Sequence, residues 1–446
     1  MDFIFQFIFF VIFFYAFFVI VKECKKLTRE TLLFFVASLL LHSFFVFYFI
    51  NDILIFNSNG SYSYGQDSDV FEGFLKVFSI DNLEYLQSEY NFINDNKGFY
   101  YLSVGFYFEL FDIGGETWLF FIFNYVFFFA SILLLNKNIS QNASFAWFLL
   151  AFNPISFFII TTFLRESLLL LSIAFFYDFF GRSNRRFLDY ILFSFFAIAI
   201  AQTRSIYLYS TLITIFVWYI SFYRKDSIDK KSFIFKSSLL ILAVLALAAT
   251  FFNDFLTSNL VRLLVLNGSD THHIAGYDGL SVDSEVLSQG DYSLVNIIFI
   301  ISERAVLGLS KMMITPIAFD SFYYLLIGES VNYYENFAVR FLFFLGALIF
   351  NFIIFPMFIS SILKVKFSKE FIKEFYLLFC YFTTVFVYSI KFMGQRNFKI
   401  DFINHIIMVA FCFKNGFEKD RPFWFAFYFM VLLNLIKGCS VMVVEI

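Results

Sequence analysis

Arg165 and Glu166 stand side by side inside the apolar stretch NPISFFIITTFLRESLLLLSIAFFYDFF, where neither charge is expected unless it does something. An ion held within a membrane-type run is costly, so it marks a candidate functional site and asks for a named partner. Arg204 repeats the pattern in the turn AQTRS, with no other formal charge between Asp189 and Arg224. A guanidinium grips phosphate or carboxylate through two parallel hydrogen bonds, and a carboxylate is able to take the proton of an attacking hydroxyl. Candidate carboxylates of that second kind are Asp67 and Asp69, in the polar, acidic segment GSYSYGQDSDVFEGF. Arg304, Arg396 and His272 complete the candidate binding set, within a wider group that includes Arg262, Lys311, Arg340, Lys391, Lys399 and His273. Each has a plainer reading: an ion pair between helix ends for Arg165 and Glu166, a headgroup anchor for Arg204, and ordinary loop residues for the two histidines.

Other chemistries find little support. The His272–His273 pair lacks a third ligand at metal-binding spacing, and no phosphate loop, dinucleotide fingerprint or nucleophile elbow occurs, so neither metal nor cofactor is expected. His42 and His405 sit within apolar runs and read as packing groups. Cys24, Cys380, Cys412 and Cys439 show no paired spacing, which argues against a disulfide framework.

The elements that must hold these residues are membrane helices. With 60% hydrophobic, 24% aromatic and 15% charged residues, no single water-soluble core could hide so much apolar side chain. A net charge of -3 speaks against a nucleic-acid partner. The first apolar run is too long for a signal peptide and lacks a basic start, so it is expected to remain as a span. Basic clusters at 22–29, 182–186, 224–231, 364–373 and 414–421 are expected on the cytoplasmic side. They fit an all-α polytopic membrane protein of about twelve spans with the N-terminus outside. In that scheme 98–112 and 294–318 do not cross; they lie at the outer interface or dip partway in. Two outer loops result, at about 51–116 and 253–335, within one integral membrane domain covering 1–446. Between Ala143 and Phe180 the chain must cross twice, and the second leg offers only about 14 residues, or about 21 Å of helix against a core of about 30 Å. Arg165 and Glu166 are therefore expected below the outer surface, with Pro154 marking a kink upstream.

The order of these features resembles the bacterial polytopic enzymes of surface-polysaccharide synthesis. Those are the O-antigen or oligosaccharide repeat-unit polymerases and the related GT-C-type lipid-phosphosugar glycosyltransferases. The stretches that carry the resemblance are GQDSDVFEGF, NDNKGFYYLSVGFYFELFD, NPISFFIITTFLRESLLLLSIAFF, the QTRS turn and GQRNFKIDFINHIIMVAFCF. It implies an outer-loop carboxylate as base or acceptor ligand, at Asp67 or Asp69, and arginines that hold the lipid phosphate, at Arg165, Arg204 and Arg396. The function so implied is the joining of polyprenyl-diphosphate-linked repeat units on the outer face, as in O-antigen or capsule synthesis. One alternative is a monosaccharide transferase using a polyprenyl-phosphate donor; another is a lipid-linked oligosaccharide flippase or transporter. The implied partners are the polyprenyl-linked glycan, the lipid bilayer of a bacterial inner membrane and other polysaccharide-assembly proteins.

Overall fold

A computed structural model of the chain describes residues 3–50, 73–82, 86, 98–111, 120–137, 143–160, 165–182, 185–222, 317–327, 337–365, 371–392, 398–415 and 419–444. Among these, every regular element is helical and none is a strand. That is what a lipid solvent demands of the backbone: a helix satisfies its own N–H and C=O groups where no water can. Four helices are long and apolar enough to cross a membrane by length and composition, Ile4–Cys24, Phe187–Arg204, Arg340–Lys364 and Arg421–Cys439, and shorter apolar helices accompany them.

The centre of the bundle is α7 (Glu166–Gly181), which is buried on every side from Glu166 to Phe180. A helix that is apolar all round needs neighbours all round. Here they are α4 (Phe120–Asn136), α8 (Phe187–Phe222) and α12 (Ile372–Phe392), with α6 (Pro154–Ile160) and α13 (Phe398–Asn415) also touching it. Outside α4 lies α1 (Phe3–Cys24), joined to it by ring contacts such as Phe9–Phe127 and Phe13–Phe123. Residues on the opposite face of α1, among them Phe7, Phe14 and Phe18, are exposed, as befits a lipid-facing stripe.

Where the sequence sets a break, the structure has one. The first leg after Ala143 divides into α5 (Ala143–Ala151) and α6 at Pro154. Asn153 caps α6, its side-chain oxygen accepting the Ile155 N–H at 3.0 Å, with proline at the first helical position. On α2 (Arg29–Ile50), Ser38 donates to the Ala151 carbonyl at 2.7 Å. One turn on, His42 donates through Nδ1 to the Ser38 carbonyl at 2.8 Å and places Nε2 3.1 Å from the Ser156 hydroxyl. His42 is thus a satisfied packing group that staples α2 to the break.

Within 187–222 Arg204 has extended backbone (φ -151°, ψ 88°), and the chain turns back there. The side chains show the reversal. In the first limb Tyr190 and Phe193 pack on Phe179, and Phe196 stacks on Phe175, so the limb runs antiparallel to α7 towards Glu166. Thr211, beyond the turn, lies 3.4 Å from the hydroxyl of Tyr376, whose ring touches Phe176 and Phe180 near the far end of α7. A straight continuation would have carried Thr211 about 10 Å further away instead.

Residues 337–364 form α10 (Phe337–Ile349), a π-helical turn over Phe350–Ile354 and α11 (Phe355–Lys364). Pro356 cannot donate to the preceding turn, and the ladder widens just before it. Against this turn begins α9 (Ala318–Ile327): Asn351 accepts the Ala318 N–H at 3.1 Å, and Asn434 of α14 (Arg421–Val444) accepts that of Phe319 at 2.8 Å. Asn351 is about 16 Å of helix from Arg340 and about 20 Å from Lys364. Residues 317–318, the end of the stretch 294–318, therefore lie level with this turn; its earlier residues lie outside those described. The other such stretch contains α3 (Gly98–Leu110), 13 residues or about 20 Å of helix, with 87–97 and 112–119 on either side lying outside the described residues.

Candidate functional site

The central helix carries a carboxylate near each end, and each meets cations from its surroundings. At its start Glu166 (2% exposed) receives the Arg204 guanidinium at 3.0 Å. Near its close Asp178 (2% exposed) receives Lys137 at 2.8 Å and Arg182 at 2.6 Å, and Arg182 also pairs with Asp189. Twelve positions separate the two carboxylates, about 18 Å of helix.

The Glu166 end is built where two breaks meet, at Arg165 and at Arg204. Arg165 directly precedes α7, its carbonyl accepting the N–H groups of Leu168 and Leu169 at 3.1 and 3.3 Å, and its side chain is buried (7% exposed). Glu166 occupies the first turn, where the partial positive charge of the helix N-terminus favours a carboxylate. The extended backbone at Arg204 puts its side chain at the top of the α8 hairpin, over α7. The outcome is two guanidinium groups and one carboxylate at one end of the central helix, with the Arg204 side chain 25% exposed and its partner 3%.

Two residues with no part in the expected set complete the surroundings. Tyr100 of α3 donates to the Asn124 side-chain oxygen at 2.8 Å, and the Asn124 amide donates to the Ile160 carbonyl at 3.3 Å. Both are fully buried. The only sequence signal for Asn124 is a polar amide set in the run FFIFNYVFFFASILLL.

Of the residues singled out from sequence, Glu166 and Arg204 are brought together, and Arg165 is buried beside them. Asp67, Asp69, His272, Arg304 and Arg396 lie outside the described residues, as do Arg262, Lys311 and His273. Asp401 falls in the first turn of α13 and is buried with Asn404 and His405, spaced so as to share one helix face. The His405 ring stacks on Phe350 at 4.8 Å, a packing role like that of His42.

The other end of the bundle has a different character. Lys137, Arg182, Arg185, Lys364 and Arg421 all stand at helix ends there, and Lys364 pairs with Asp420 at 2.8 Å. Asp420 also caps α14, accepting the Phe423 N–H at 3.1 Å. Desolvation would raise its carboxyl pKa, but the bonds from Lys364, Phe423 and Ser360 outweigh it and hold the group below the usual carboxylate range.

No protein-family model matches the chain, and no curated protein or solved structure matches it either. The site must therefore be interpreted from its own chemistry.

Proposed function

We propose that the chain is an integral membrane polymerase of surface glycans. It would span the bacterial inner membrane about twelve times and join polyprenyl-diphosphate-linked repeat units on the outer face. The observation that carries the reading is the Arg165, Glu166 and Arg204 group, buried at the end of the bundle opposite the basic helix ends. By the preference of basic residues for the cytoplasmic side, that end faces outward. Two guanidiniums below the surface suit a lipid-linked diphosphate, whose charge grows as the bond between sugar and phosphate breaks. The pair electrons leave with the polyprenyl diphosphate, the hydroxyl of the next repeat unit forms the new glycosidic bond, and its proton passes to a carboxylate, for which Asp67 and Asp69 remain the proposed groups.

The test is the length of surface glycan made by cells carrying Arg165→Lys or Arg204→Lys, together with polyprenyl diphosphate binding by the purified chain. Lysine keeps the charge but not the planar fork, so shortened glycan at normal protein levels is expected. Full-length glycan from both variants would reduce these residues to anchors. A second reading, a lipid-linked oligosaccharide flippase, draws on the helix start that Asn351 and Asn434 hold deep in the bundle, since discontinuous helices with polar groups at depth typify transporters. Transport of the lipid-linked glycan across proteoliposomes without chain growth would favour it.

A further inference from the structure

We infer that Tyr100 and Asn124 are positioning residues for the buried ion group, and that α3 is the element through which the outer segment acts on it. This rests on the reading of that group as the anion-binding part of the site. Ile160 is the last described residue before 161–164, and its carbonyl accepts the amide of Asn124 on the neighbouring α4 at 3.3 Å. Only four residues, 161–164, separate Ile160 from Arg165 and Glu166 in the sequence, so a bond that holds Ile160 constrains where α7 starts. Tyr100 in turn holds the Asn124 amide in the orientation that turns its nitrogen towards Ile160, because the hydroxyl donates to the oxygen of the same amide.

On its other face α3 is gripped by the outer segment. Phe78 lies so close over Gly105 that a Cβ there would fall 2.6 Å from its ring, and Ser79 donates to Glu109 at 3.0 Å. The line of contact thus runs from residues 73–82 through α3 and Asn124 to the junction of α6 and α7. Displacing the outer segment displaces Tyr100, and with it the geometry that sets Glu166 against Arg204.

A double-mutant cycle in the purified full chain tests this without any ligand. Asn124→Asp keeps size and an acceptor for Tyr100 but loses the donor to Ile160, and Glu166→Gln removes the ion pair. If the clasp acts through Glu166, the drops in thermal midpoint should fall short of additivity by about 2 °C or more. Strict additivity would overturn the inference. Tyr100→Phe serves as the milder companion should Asn124→Asp not fold, with the same expected coupling. Polyprenyl diphosphate binding then adds a functional readout: Asn124→Asp should weaken it about tenfold in the unaltered background and hardly at all with Glu166→Gln present. Equal loss in both backgrounds would overturn the inference while leaving the functional reading intact. Failure of the unaltered chain to bind polyprenyl diphosphate would count against the functional reading alone, because the thermal cycle still judges the clasp.

Discussion

Glu166 is the residue whose environment is most demanding, since a carboxylate 2% exposed among apolar helices depends on the cations and dipole arranged around it. Arg204→Ala removes its 3.0 Å partner, and breaking a buried pair in this way is expected to cost about 3 kcal/mol, read as a lower unfolding midpoint in detergent. Arg204→Lys should retain most of that stability, so the two variants separate folding from anion binding. At the other end of the bundle Asp420 gives a pH dependence with a definite sign. Its folded carboxyl titrates below the unfolded one, so its contribution is present above the ordinary carboxylate pKa and is lost as pH falls through the lowered value. The midpoint of the unaltered chain should therefore decline more steeply on acidification than that of Asp420→Asn; matching curves would show that the Lys364 bridge and the cap add nothing measurable.

Elements here are shaped as much by their interruptions as by their lengths. The α5–α6 break, the Arg204 turn and the π turn before Pro356 each place a polar group where a regular helix would have buried a backbone bond. α9 shows the consequence most directly, because the N–H groups of Ala318 and Phe319 at its start are accepted by Asn351 and Asn434. Asn351→Leu should leave the Ala318 N–H buried without an acceptor and lower stability by about 1–3 kcal/mol, whereas substitution of an exposed lipid-facing residue such as Phe425 by leucine should have little effect. Gly105 is a second element-scale test. A valine there cannot coexist with Phe78 in its present place, so Gly105→Val should detach residues 73–82 from α3, seen as faster proteolysis of that segment in the purified chain.

For the whole molecule the proposal is a sidedness. It would put the basic helix ends at the cytoplasmic side and the Glu166–Arg204 end outward. With Cys24, Cys380, Cys412 and Cys439 replaced by serine, a cysteine introduced at Ser63 or Ser281 should react with a membrane-impermeant maleimide added to intact cells. One at Ser183 should not. The reverse pattern would turn the site towards the cytoplasm and exclude synthesis on the outer face.

Membrane-helix character was legible from residues 1–446 alone, because apolar runs and basic asymmetry are local properties of a chain in a lipid solvent. So was the burial of Arg165 and Glu166, which follows from counting residues in a leg too short for the core it must cross. Arg204 was recognisable as an isolated charge in a turn, but its partner was not: Glu166 lies 38 positions earlier, and only the antiparallel packing of the first limb of α8 on α7 joins them. The same holds for Asp178 with Lys137, and for Asn124 with Tyr100 and Ile160, whose separations in sequence carry no pattern. An apolar run tells how a helix meets lipid; which polar groups meet across helices depends on rotation and depth, and those are fixed by packing.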